Sequence, residues 1–149
     1  MDQNSGTSEF IFKAGKFVST DNKNRNPILQ RAFDIKDQEE CKDVYKVWAN
    51  SYDSTMVGEL KYSAPDSIAK SLQEFLPSRT ASILDLGCGT GLVGSSLSAL
   101  DYVNIDGVDF SEEMLAVADK LNVYGDLKLA DLTKPGIPSA NYDAGQAGE

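Results

Sequence analysis

Apolar residues recur along the chain with two periods, and the changes between them mark out its elements. Between Lys36 and Tyr52, residues Cys41, Val44, Tyr45, Val47, Trp48 and Tyr52 fall largely on one helical face, with Glu39, Glu40, Lys42 and Asp43 outside it. This spacing predicts an amphipathic helix. A second helix is predicted from about Pro65 to Leu76: Pro65 suits a first turn, Ile68, Leu72 and Phe75 make a buried stripe, and Pro77 ends it. Beyond it, Ile83, Leu84 and Leu86 form the short apolar run that a central parallel strand needs, since helices cover such strands on both faces. Leu92, Val93, Leu97 and Leu100 return to helical spacing, Ile105 and Val108 mark a second strand, and Leu127, Leu129 and Ala130 a third. Strands alternating with helices predict an α/β fold built on a parallel sheet.

Candidate chemistry gathers at the ends of these strands. Gly87, Gly89 and Gly91 join the first strand to its helix. Glycine there admits positive φ and removes Cβ atoms that would hold a ligand away, while the helix start presents unpaired N–H groups. Gly89-Thr90-Gly91-Leu92-Val93-Gly94 also satisfies the bare dinucleotide pattern G-x-G-x-x-G, so glycine spacing alone leaves the cofactor open. Asp85 bears on the choice. A carboxylate just ahead of the loop would repel a pyrophosphate in a partly desolvated site and favour a cationic ligand such as S-adenosylmethionine (SAM). Its structural alternative is a strand-end acid capping the loop amides.

Asp109 ends the second strand about 20 residues after the loop, where a ribose-binding acid is expected. Charge-assisted hydrogen bonds to ribose hydroxyls contribute about 1.5–3 kcal/mol each. The alternative is a turn residue ahead of Ser111, which reads as a helix N-cap with Glu112 and Glu113 in the first turn. Phe110 and Met114 are candidates to flank an adenine ring, although such side chains more often fill a core. Asp131, at the third strand end, is either an acceptor for an adenine amino group or a loop acid.

Taken in order, Asp85-x-Gly87-x-Gly89-x-Gly91, Gly107-Val108-Asp109-Phe110-Ser111-x-x-Met114-Leu115 and Ala130-Asp131-Leu132 resemble the first motifs of class I SAM-dependent methyltransferases. Upstream, Val44-Tyr45-Lys46-Val47-Trp48-Ala49-Asn50-Ser51-Tyr52-Asp53 resembles the Y-x-x-W-A-x-x-Y-D helix of small-molecule-type members, and Leu60-x-Tyr62-x-Ala64-Pro65 extends the match. That part is most similar to the methyltransferase-like proteins of the Williams-Beuren syndrome chromosome region. The resemblance covers roughly residues 38 to 144. It implies a Rossmann-like doubly wound sheet with SAM as cofactor and S-adenosylhomocysteine (SAH) as product. It also implies Asp109 on ribose, Asp131 and Leu132 near adenine, and the loop Gly87, Cys88, Gly89 and Gly91 along the methionine moiety. Tyr45 and Tyr52 would close over the cofactor. The family reaction is methyl transfer to an acceptor nucleophile, and no catalytic acid or base is nominated within this chain.

Composition narrows the partners. The chain has 149 residues, 41% hydrophobic and 25% charged, as expected of about one globular domain. A net charge of −9 argues against nucleic acid, because Lys61, Lys70 and Arg79 are scattered rather than clustered. The absence of histidine removes the commonest general base, and Cys41 and Cys88 are too far apart in sequence for a CxxC pair, so no metal site is expected. Two reduced thiols and no apolar window long enough for a bilayer suggest a cytoplasmic protein without a membrane role. Three segments are expected: a loosely attached arm over residues 1–26 with a short hairpin, an N-terminal helical segment over 27–80, and a partial SAM-binding Rossmann-like domain over 81–149.

Ala140-Asn141-Tyr142-Asp143-Ala144 looks like the start of the family's fourth strand, but Gly145-Gln146-Ala147-Gly148-Glu149 make a poor central strand. Only the first half of the family sheet, three to four strands, is therefore expected, with an exposed edge that a protein partner would cover. Three readings follow: a methyltransferase of a small-molecule acceptor, a truncated noncatalytic SAM-binding or regulatory form, and, disfavoured by Asp85, an NAD-dependent oxidoreductase.

Overall fold

A computed structural model describes residues 10–13, 16–19, 27–59, 62–134, 136 and 141–147. The chain divides into two compact units, residues 1–44 and 45–149. Of the expected arm, residues 1–9, 14, 15 and 20–26 lie outside the described residues, as do Leu60, Ala140, Gly148 and Glu149.

In the first unit, β1 (Phe10–Lys13) and β2 (Lys16–Ser19) form an antiparallel hairpin with Ile11 opposite Val18 and Phe12 opposite Phe17. A short helix, α1 (Pro27–Phe33), begins on a proline, whose fixed φ and missing N–H suit a first turn. Helix α2 (Gln38–Trp48) starts at a reciprocal cap. The Asp37 carboxylate accepts the Glu40 N–H at 2.9 Å, and the Glu40 carboxylate accepts the Lys36 N–H at 3.1 Å.

Helix α2 runs into the second unit, where it ends earlier than the apolar stripe suggests. A 3-10 turn (Ala49–Ser51) and a π-helical turn (Ser54–Glu59) take over. Hydroxyl groups account for the change: Ser51 donates to the Trp48 carbonyl at 3.4 Å, and Ser54 and Thr55 both donate to the Ser51 carbonyl at 2.9 Å. Such local bonds offer the backbone an alternative to regular helix. Then follow α3 (Ala64–Phe75), β3 (Ser82–Leu86), α4 (Leu92–Ala99), β4 (Asn104–Asp109), α5 (Glu112–Asp119), β5 (Leu127–Leu129) and β6 (Ala144–Ala147).

The four last strands form one parallel sheet in the order β5-β4-β3-β6. Parallel neighbours cannot be joined by a tight turn, and helical crossovers supply the connections from β3 to β4 and from β4 to β5. The Rossmann-like architecture preceded by N-terminal helices is thus present. Ser111 caps α5 as expected, its hydroxyl accepting the Met114 N–H at 3.2 Å.

The register sets which side chains share a face. Ile83 pairs with Ile105, and together with Ala69, Val93, Leu97 and Tyr102 they form a buried core under α3 and α4. Phase-matched residues two positions on, Asp85 and Gly107, lie on that same face nearer the strand ends. Two expectations need correction. Phe75 is 83% exposed rather than buried: Leu76, which leaves helical geometry at φ −128° and ψ 76°, packs on the core in its place. The poor strand formers after Asp143 do make a strand. β6 pairs in parallel with β3, and Gln146 faces Asp85 in register. Among the described residues no helix is long and apolar enough to cross a membrane.

Leu97, fully buried in the core, and Phe75 give opposite expectations for stability. Leu97→Ala should lose about 2–5 kcal/mol through lost burial and a residual cavity, whereas Phe75→Ser should stay within about 0.5 kcal/mol. Chemical denaturation of the two variants checks the contrast.

Candidate functional site

The glycine loop folds back over the end of β4. Gly87 N–H and Cys88 N–H both donate to the Val108 carbonyl, at 2.8 and 3.0 Å, and Gly91 N–H donates to the Cys88 carbonyl at 2.9 Å. This tight path needs left-handed backbone at Gly87 (φ 69°), Gly89 (φ 54°) and Gly91 (φ 92°). A Cβ on Gly89 would meet nothing within 4 Å, so that glycine borders open space.

Asp109 braces the loop from β4. One carboxylate oxygen accepts the Gly89 N–H at 2.8 Å and the other accepts the Ser111 N–H at 2.9 Å. The group is 4% exposed, and burial pushes it above the ordinary carboxylate range against the opposing pull of those N–H groups. A carboxylate has about four lone-pair sites, and the Ser111, Gly89 and Phe110 N–H groups all draw on them.

Asp85 has no exposed surface at all. The Tyr124 hydroxyl donates to one oxygen at 2.8 Å and the Gln146 amide to the other at 2.7 Å. Both donors are neutral, and among the described residues no lysine or arginine forms an ion pair with either Asp85 or Asp109. Burial is the main reason that Asp85 is raised, and the Asp109 charge adds to it. Cys88, 7% exposed in the loop between them, has its thiol pushed far up by burial and by both carboxylates, which keeps it protonated and unreactive.

An aromatic cluster adjoins these acids. Tyr45 stacks near Trp48 at 6.0 Å, meets Phe110 edge-on at 6.0 Å and lies 6.2 Å from Tyr52, whose ring is edge-to-face with Trp48 at 4.7 Å. Burial, then the neighbouring Tyr45, Tyr62, Asp53 and Asp109, push the Tyr52 hydroxyl well above its ordinary value, so it stays protonated. Asp53, next to it, accepts a short hydrogen bond from the Thr90 hydroxyl and so ties the turns after α2 to the glycine loop.

The structure brings together Tyr45, Tyr52, Asp85, Gly87, Cys88, Gly89, Gly91, Asp109 and Phe110 around the ends of β3 and β4. Other candidates sit differently. Met114 is 2% exposed, a core residue of α5. Asp131 follows β5, beside the Ala130 N–H that donates to the Asp109 carbonyl at 2.9 Å. Its carboxylate is engaged by the Thr133 N–H at 3.0 Å, the Thr133 hydroxyl at 2.6 Å and Lys134 Nζ at 3.2 Å. Leu132 is 37% exposed.

Comparison with known proteins agrees with this arrangement. Residues 83–147, which span β3 to β6, match a family model described as a methyltransferase domain. Over this region the chain is similar to SAM-dependent methyltransferases. Human methyltransferase-like protein 27 is 36% identical over 120 residues, covering 78% of this chain and 49% of the human protein. The chain therefore spans about half the length of that curated relative. Among solved structures, DhpI in complex with SAH superposes with a TM-score of 0.56 at 27% identity, covering 70% of this chain and 50% of DhpI. The plantazolicin methyltransferase BpumL in complex with SAH gives 0.52 at 26% identity, covering 70% and 41%.

Three residues of this site are not marked out by the sequence motifs: Tyr124, Gln146 and, although it lies within the glycine loop, Thr90. A signal for Tyr124 exists in Gly94 and Gly107, neither of which has a turn to make or a positive φ. A Cβ at Gly94 would fall 2.3 Å from the Tyr124 hydroxyl oxygen, and one at Gly107 would fall 3.0 Å from its ring. Two glycines without a turn to make thus mark the bed of a large side chain.

The buried acids also fix a pH dependence. Asp85 is held above the ordinary 3.8, so the folded chain binds its proton at pH values where the unfolded chain has released it. Its contribution to stability is then greatest near and below the ordinary value and is lost as pH rises. Asp85→Asn, which removes the charge, should melt higher than the native chain at about pH 8, by about 1 kcal/mol, and the advantage should shrink toward pH 5. Thermal melts of both chains across that range check it.

Proposed function

We propose that this chain binds SAM at the carboxyl ends of β3 and β4 and acts within a methyltransferase for a small-molecule acceptor. The observation that carries the reading is the pair of buried carboxylates, Asp85 and Asp109, with no cationic partner among the described residues and with the open face of Gly89 beside them. A site of that charge suits a cationic ligand and repels the pyrophosphate of a dinucleotide. The SAH complexes of DhpI and BpumL support the same ligand class.

In this reading the remaining acceptor capacity of Asp109 takes a ribose hydroxyl, and the backbone of Gly87, Cys88, Gly89 and Gly91 lines the methionine moiety. Asp85 supplies negative potential toward the sulfonium and the α-ammonium. Phe110 flanks the adenine, Asp131 and Leu132 approach its edge, and Tyr45 and Tyr52 cover the ligand. Met114 supports this surface from the core of α5. When bound, SAM supplies a methyl group on cationic sulfur that passes to the acceptor's lone pair, the bonding electrons remaining on sulfur.

The chain's own contribution is to bind, orient and exclude water. Aligned geometry of this kind is worth on the order of 7–11 kcal/mol of a barrier. Tyr52, held protonated, acts as a hydrogen-bond donor and not as a base at neutral pH. The −9 net charge supports a small acceptor over nucleic acid, and a cytoplasmic setting is part of the same reading.

Calorimetric titration with SAH and with NAD tests the ligand. SAH binding without NAD binding is expected, and a preference for NAD would overturn the reading. Asp109→Asn, whose single amide oxygen keeps an acceptor for only one of the Gly89 and Ser111 N–H groups, should weaken SAH at least ten-fold, in line with loss of a charge-assisted hydrogen bond. Unchanged affinity would remove Asp109 from the ribose site.

A further inference from the structure

Tyr124 lies outside every motif, yet three glycines on three elements make room for its ring. A Cβ at Gly94 in α4 would lie 2.3 Å from the hydroxyl oxygen and 2.4 Å from Cζ, and Cβ atoms at Gly91 and at Gly107 in β4 would each lie 3.0 Å from a ring carbon. The ring is therefore wedged against β4 and the start of α4, and its hydroxyl ends 2.8 Å from Asp85. A contact as costly in glycine as this one is too specific to be packing alone, since phenylalanine would fill the same bed.

We infer that Tyr124 is a positioning residue whose hydroxyl fixes the Asp85 carboxylate beside the glycine loop, so that the site favours a cationic sulfonium ligand over an uncharged adenosine thioether. The inference rests on the SAM site proposed above. Its physical basis is that a buried carboxylate with no cation to pair with keeps its charge and its orientation only through donors to its oxygens. Asp85 has two, Tyr124 on one oxygen and Gln146 on the other. Of these, the Tyr124 hydroxyl is packed against Gly94, where a Cβ would clash with it, and Gln146 is placed by the register of β6 with β3. Removing the hydroxyl leaves one oxygen of a fully buried charge without a donor, which either turns the carboxylate or protonates it. In both cases the negative potential at the loop falls while the shape of the adenosine site does not.

The test measures SAM and 5′-methylthioadenosine, which shares the adenosine but carries no charge, against the native chain, Tyr124→Phe, Asp85→Asn and the double variant. Tyr124→Phe should weaken SAM by five-fold or more and change methylthioadenosine by less than two-fold. Asp85→Asn should lose the preference for SAM, and adding Tyr124→Phe to it should have no further effect on SAM. Equal losses for both ligands, or an undiminished Tyr124→Phe loss in the Asp85→Asn background, would overturn the inference while the cofactor reading stands. Should Tyr124→Phe fail to fold, Asp85→Asn alone still decides: a preference for SAM equal to that of the native chain would overturn it. A native chain that binds neither ligand would instead overturn the cofactor reading, and this inference with it.

Discussion

The constraint on which this structure turns is the burial of a carboxylate without a cation. Transferring such a charge from water costs on the order of several kcal/mol even after relaxation, and Asp85 has no exposed surface. The surrounding elements meet the cost with neutral donors. β6 contributes Gln146 from the next strand in register, and the segment after α5 contributes the Tyr124 hydroxyl. Placing the tyrosine ring then dictates glycine at position 94 in the following helix. One charge at the end of β3 thus accounts for features spread over more than sixty positions of sequence.

Asp109 is treated differently, and the difference separates the two acids by task. Its donors are backbone N–H groups, one from the glycine loop and one from the start of α5. It is a brace for the loop and a ligand candidate at the strand end, held by local amides rather than by side chains. The turns after α2 reach the same loop through Asp53 and Thr90, and Lys46 approaches Glu113 of α5 at 3.8 Å. The latter pair is exposed, and such contacts contribute little. The Asp53–Thr90 bond, with Thr90 only 1% exposed, is the stronger link between the N-terminal turns and the cofactor loop.

What the sequence discloses depends on how local the cause is. The strands at Ile83, Ile105 and Leu127, the cap at Ser111 and the glycine loop are each specified within a few residues, by periodicity or by turn chemistry, and all are found where expected. The partners of Asp85 are not, because they sit 39 and 61 residues away and are chosen by the sheet register. β6 reads as a poor strand for a related reason: propensity is local, whereas this strand is held by its register with β3. Phe75 fails through a detail of termination, since a single non-helical residue hands its place in the core to Leu76. The Asp131 side chain is taken up by a turn and by Lys134, contacts that a strand-end position does not reveal.

A site that keeps two charges buried against their preference is strained before any ligand arrives. Both carboxyls stand above their ordinary values for the same first cause, desolvation. A cationic ligand entering beside the open face of Gly89 would supply the missing positive charge and relieve that strain, so part of the free energy withheld from folding is recovered as binding. This coupling has a direction. An anionic ligand would raise the strain further, which makes the electrostatics of the site, and not the glycine pattern it shares with dinucleotide folds, the feature that selects the cofactor.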